Sequence, residues 1–160
     1  MKIVPVILAI VAIVAMGCGQ VSQMLPTPEV VIVWVNPLTG VIDQASGDTT
    51  IAADTIRFQV ANYVDAVVTN LEIKYFDSHG DSEIAPALPP INMHFVLPGD
   101  TTTVDLLHLP VPISQTLVDY IYNGNDYAIA RLRFNGEDAY GLNKEFYVEM
   151  DWGIWRTDYP

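Results

Sequence analysis

Cysteine is nearly absent: Cys18 is the single cysteine in 160 residues. No intramolecular disulfide is possible, so packing alone must hold the fold, which is feasible at this length. Positive charge is almost as scarce. Seven Lys and Arg stand against nineteen Asp and Glu, for a formal net charge of −12. Such a surface repels phosphate backbones and anionic lipid headgroups, which argues against a nucleic-acid partner and against docking through a basic patch. Only three histidines are present, His79, His94 and His108. No G-x-S-x-G nucleophile motif occurs. No apolar run reaches the length of about 20 residues that a spanning helix needs.

What is there begins with Met1–Cys18, MKIVPVILAIVAIVAMGC. Lys2 precedes an uncharged stretch from Ile3 to Met16, broken only by Pro5. That length suits the apolar core of a signal peptide, roughly 7–15 residues. Ala15 and Gly17 place small side chains beside the expected scissile bond. Ala15-Met16-Gly17-Cys18 resembles the lipobox of bacterial lipoproteins, with Ala15 where that box usually has Leu. The resemblance implies cleavage after Gly17 and a diacylglycerol on the Cys18 sulfur. An uncleaved anchor, or cleavage by the ordinary signal peptidase, are the alternatives. A leftover cysteine in an exported chain needs a reason, and lipidation supplies one. Two or more acyl chains give stable anchoring at about 0.8 kcal/mol per buried CH2. In that family an Asp after the lipidated Cys retains the protein at the inner membrane. Gly19 stands there, which implies the outer membrane or cell surface.

The expected organisation is a signal peptide over 1–17, a tether over 18–29 and one domain over 30–160. Without the signal peptide the chain carries six Lys and Arg against nineteen acids. Gly19–Glu29 has no hydrophobic period and two prolines. Extended, it would reach roughly 30 Å. Beyond it the chain is rich in Val, Ile, Thr and Tyr, which favours strands.

The periodicity predicts about seven strands. Val30–Asn36 is a β-branched run stopped by Pro37 and Thr39-Gly40, with a loop over Asp43–Thr50. Thr55–Tyr63 alternates Ile56, Phe58 and Val60 with polar residues, and Val67–Phe76 places Leu71, Ile73 and Tyr75 opposite Glu72 and Lys74. Ile91–Leu97 and Thr101–Leu109 read as a hairpin about Pro98-Gly99-Asp100, ended by Pro110-Val111-Pro112. Ser114–Tyr122 is the one expected helix, capped by Ser114 with Leu117, Val118 and Ile121 inward. In the last hairpin Ala128, Ala130, Leu132 and Phe134 face Phe146, Val148, Met150 and Trp152. The other face sets arginines against carboxylates, predicting pairs Arg133–Glu145 and Arg131–Glu149. Short strands without βαβ spacing predict an all-β chain, an antiparallel, immunoglobulin-like β-sandwich in the architectural sense. From about Asp54 to Trp155 the chain resembles a group of uncharacterised bacterial lipoproteins with an immunoglobulin-like or fibronectin type III-like domain. Phe134-Asn135-Gly136-Glu137-Asp138-Ala139-Tyr140-Gly141 carries that resemblance as F-x-G-x-D-x-x-G. It implies fold and location and brings no activity.

Few residues suggest chemistry. Hairpin pairing would set His94 opposite residue 104 rather than His108, with His79 in a separate loop, so the histidines are expected to hold no metal. Asp77, Asp81 and Glu83 around Gly80 offer oxygens for calcium, but without EF-hand spacing, and turn chemistry accounts for them. Glu137 and Asp138 beside Gly141 read the same way. Nineteen acids leave glycoside hydrolysis open without singling out a pair. Trp152, Trp155, Tyr140, Tyr147 and Tyr159 could form an aromatic platform for a sugar or a protein, with Tyr147 on the outer face and Trp152 in the core. The expected function is non-enzymatic: a lipid-anchored envelope protein with a structural, adhesive or partner-binding role. A carbohydrate- or calcium-binding module is the alternative, and an envelope hydrolase a weaker one. No cofactor is implied. The expected partners are the membrane, through lipid on Cys18, and a protein or glycan of the envelope.

Overall fold

The computed structural model describes residues 25–44, 47 and 49–157. Cys18, the signal segment and Tyr159 lie outside them. Among the described residues, eight strands and one helix follow in order: β1 (Val30–Asn36), β2 (Thr39–Ile42), β3 (Thr50–Val60), β4 (Ala66–Phe76), β5 (Ile91–Leu97), β6 (Thr103–Pro112), α1 (Gln115–Tyr122), β7 (Tyr127–Asp138) and β8 (Phe146–Arg156). They form a three-stranded sheet, β1-β3-β6, and a five-stranded sheet, β2-β8-β7-β4-β5.

The period of two decides which side chains meet between the sheets. Ile56, Phe58 and Val60 of β3 are fully buried, as are Leu71 of β4 and Ala128, Ala130, Leu132 and Phe134 of β7. Phe58 meets Phe134 edge-on at 4.9 Å between ring centres and tilts against Phe95 at 5.5 Å. Such aromatic pairs add about 0.5–1.5 kcal/mol beyond the area they bury. Tyr75 links the layers differently: its hydroxyl, on β4, donates to the Pro112 carbonyl of β6. Burial pushes that hydroxyl's pKa up. At the end of β6, α1 starts where expected. The Ser114 hydroxyl accepts the Leu117 N–H at 3.2 Å, and Leu117 and Ile121 are buried.

Four expectations change. First, the five-stranded sheet is mixed, not antiparallel: β2 runs parallel to β8, from Thr39 opposite Gly153 to Ile42 opposite Arg156. Pro37 and Leu38 carry the chain from one sheet to the other without reversing it. Gly40, expected to end a strand, lies inside β2, and the position takes glycine because a Cβ there would sit 2.6 Å from Ile51 and 2.7 Å from the Trp152 ring. Second, β5 and β6 are not a hairpin. β5 pairs with β4 and β6 with β3, in different sheets. Pro98-Gly99-Asp100 is a corner between sheets, held by the Gly99 N–H donating to Asp65 Oδ1 at 2.6 Å. Third, Pro110 and Pro112 do not break β6. It is an outer strand, and prolines two apart turn the same edge away from β3. Fourth, Arg131 lies opposite Asp151 and Arg133 opposite Glu149. The faces are as expected, but β7 continues to Asp138 and the turn centres on Gly141 at φ +73°.

Candidate functional site

The outer face of the five-stranded sheet carries mostly polar side chains at alternate positions of the middle of β4, β7 and β8: Asn70, Glu72 and Lys74, Arg131, Arg133 and Asn135, and Tyr147, Glu149 and Asp151. One irregularity shapes it. In β4, Val68 and Leu71 both face inward although they are three residues apart. The pairing with β7 shifts between Val68 and Asn70, and this bulge sets Asn70 opposite Asn135. On the inward face beside it, Gly136 leaves room for the Phe146 ring, which a Cβ would approach to 2.6 Å.

The bulge assembles a connected array. Asn135 Nδ2 donates to Asn70 Oδ1 at 2.8 Å and to Glu72 Oε1 at 3.0 Å. Arg133 Nε donates to Asn135 Oδ1 at 3.1 Å. The Arg133 guanidinium lies 4.0 Å from the centre of the Tyr147 ring, and its Nη1 is 3.6 Å from Glu149. Tyr147 is 59 % exposed. Between these groups lies a concavity of about 590 Å³, rimmed by Thr69, Glu137 and Glu145. A smaller hollow of about 180 Å³ continues it between Glu72, Lys74, Phe76, Arg131 and Glu149. There Arg131 grips Asp151 with two hydrogen bonds of 2.7 and 2.9 Å. Hydrogen bonding to Asp151 raises the Arg131 pKa. The whole forms an open, largely polar, pre-ordered groove whose exposed aromatic wall is Tyr147, suited to holding a ligand by many directional hydrogen bonds.

Of the described aromatic side chains expected to act together, Tyr147 alone lines this groove. Trp152 is fully buried and donates its indole N–H to the Pro37 carbonyl at 2.9 Å. Trp155 stacks on Tyr127 with 4.4 Å between ring centres. Tyr140 lies on the β7–β8 loop, its hydroxyl 3.2 Å from Asp65.

The acidic loops are turn architecture. Asp77 Oδ1 accepts the N–H groups of His79 and Asp81 at 3.1 and 3.0 Å. The Asp81 N–H, ahead of the other donors, holds the Asp77 carboxyl below its ordinary pKa. Asp138 is the one buried charged side chain among the described residues, at 2 % exposure. Its carboxylate accepts N–H groups from Tyr140, Leu142 and Lys144 at 2.8–3.1 Å. Burial pushes its pKa up, but the backbone donors together outweigh it and hold the group below the usual range. It is closed off by its own loop rather than sunk in the core. His94 and His108 lie on different sheets and His79 in the β4–β5 loop. Among the described residues, no group of three or more His, Cys, Asp or Glu could hold a metal ion. No helix among them is long and apolar enough to cross a membrane.

Asn70, Glu72, Arg133 and Asn135 were not among the candidates from sequence. Their signal is the broken alternation Val68-Thr69-Asn70-Leu71, which marks a bulge in an otherwise regular strand. No family model matches the chain, and no curated protein is significantly similar to it.

Proposed function

We propose that this chain is a lipid-anchored protein of the cell envelope that binds a partner across the outer face of its five-stranded sheet and does no chemistry there. In this reading residues 1–17 export it, Cys18 carries the lipid and residues 18–29 are the tether. The domain is immunoglobulin-like: the first strand pair divides between two sheets, and β2 runs parallel beside the last strand. The observation that carries the binding role is the ordered groove from Asn70 through Asn135 and Arg133 to Tyr147. Its carboxylates serve amide and guanidinium groups. Glu72 accepts from Asn135, and Glu149 sits against Arg133. That arrangement suits recognition better than proton transfer, for which one acid should lie against an apolar wall.

Two measurements test it. Mass spectrometry of the mature N-terminus should find an acylated Cys18; an intact Met1 or an unmodified thiol would overturn the anchor. Crosslinking in intact membranes should capture a partner that Tyr147→Ala loses. Capture unchanged by that substitution would move the binding surface elsewhere.

A further inference from the structure

We infer that the groove's ligand is a neutral oligosaccharide. This rests on reading the groove as the partner surface, and it names what that surface takes. The groove lies over β4, β7 and β8, and β7, the strand along its floor, is paired along both sides. The floor therefore offers no free backbone, and a peptide strand added at the outer edge of β8, open until β2 joins at Gly153, would lie beside the groove and not in it. The lining is mostly amide, carboxylate, hydroxyl, ammonium and guanidinium, and of its rings Phe146 is buried and Phe76 is covered by Arg131, which makes it a poor anchor for a hydrophobic side chain. Charge disfavours anions. Glu72, Glu137, Glu145, Glu149 and Asp151 outnumber Arg131, Arg133 and Lys74, within a chain of formal charge −12.

A neutral polyhydroxylated chain meets each remaining condition. Its hydroxyls both donate and accept. They can therefore donate to the carboxylates of Glu72 and of the rim residues Glu137 and Glu145. They can also accept from the N–H groups of Arg133 that are not engaged by Asn135 and Glu149. Tyr147 supplies a flat apolar face beside those polar groups, and Arg133 holds one side of the ring, so its orientation is fixed before a ligand arrives. From the Asn135–Tyr147 rung to the Arg131–Asp151 rung the array extends four residues along β7, roughly 13 Å. That is room for a short oligosaccharide rather than a single ring. The three tryptophans lie elsewhere: Trp152 is in the core, Trp155 stacks on Tyr127, and Trp34 sits on β1. Tryptophan fluorescence is therefore a poor reporter, and heat of binding is the readout of choice.

The test is isothermal titration calorimetry of the full-length protein in detergent micelles. Cellotetraose and N-acetylated chitotetraose are the neutral probes and tetragalacturonate the anionic one. At least one neutral probe should bind in the millimolar range or tighter. Tyr147→Ala should weaken it about tenfold or more, as loss of an aromatic anchor does. Tyr63→Ala, which removes an exposed tyrosine outside the groove, should leave it unchanged. Thermal melts confirm that both variants fold. Tetragalacturonate binding as tightly as the neutral chains, or neutral binding indifferent to Tyr147→Ala, overturns the inference. So does the absence of neutral binding. If Tyr147→Ala still abolishes a membrane crosslink in that last case, the groove stands as a partner surface and only its ligand class is wrong.

Discussion

At the scale of single residues, Asp138 carries a definite expectation. Its two oxygens take three backbone N–H groups and so fix the path of the β7–β8 turn. Asp138→Asn keeps one carbonyl oxygen but turns an amide N–H toward the Lys144 N–H. The expected cost is about 1–3 kcal/mol, that of a buried donor left unsatisfied. The pH dependence follows from the lowered pKa of the folded state. A carboxyl of this kind contributes fully above the unfolded-state pKa, about 3.9, and its contribution disappears as pH falls through the lower folded value. The melting-temperature gap between wild type and Asp138→Asn should therefore be constant near neutrality and close below about pH 4. A gap that persists at pH 2 would show that the charge is not what matters. The type of residue was legible here, since Glu137-Asp138 beside Gly141 reads as turn chemistry. That Asp138 turns inward to its own loop was not, because burial depends on how the whole loop folds over it.

At the scale of elements, alternation gave the faces and failed to give the partners. Ile56, Phe58, Val60, Leu71, Ile73 and Tyr75 all fall where a period of two puts them. Period two cannot say which strand lies alongside, because a hairpin and a crossover between sheets bury the same side chains. Hence β5 and β6 read as neighbours and are not. Register has the same limit. It is set by the turn, and the turn about Gly141 includes Asn143 at φ +55°, a conformation that sequence does not announce. A double-mutant cycle checks the register. Arg131 and Asp151 should couple by about 0.2–1 kcal/mol, the range for a partly exposed ion pair. Arg131 and Glu149 should couple less. The reverse order would restore the pairing expected from sequence and displace Arg133 from its place between Glu149 and Tyr147.

At the scale of the whole molecule, the two ends of the sandwich are unequal, and the proposed anchor makes the inequality testable. Asn62 Nδ2 donates to the Thr27 carbonyl at 2.7 Å, and the Glu29 N–H donates to Asn62 Oδ1 at 3.0 Å. This clamp fastens residues 27–29, the end of the proposed tether, to the end that carries the 61–65, 98–102 and 139–145 loops. The helix α1 sits at the other end, separated by the length of β7, twelve residues or roughly 40 Å. A chain lipidated at Cys18 and clamped at Asn62 must therefore hold Tyr63 nearer the bilayer than Asp119 of α1. With Cys18 acylated, a cysteine introduced at either site is the only free thiol. A fluorophore on Tyr63→Cys in neutral-lipid vesicles should be quenched by headgroup-attached quenchers several-fold more than one on Asp119→Cys. Adding Asn62→Ala should narrow the difference, because the tether is then free to pivot while its length is unchanged. Equal quenching at both sites with Asn62 intact would mean that the clamp does not set the domain's posture. The groove, which climbs from the 139–145 loop along β7 and β8, would then lose its fixed approach from the membrane side.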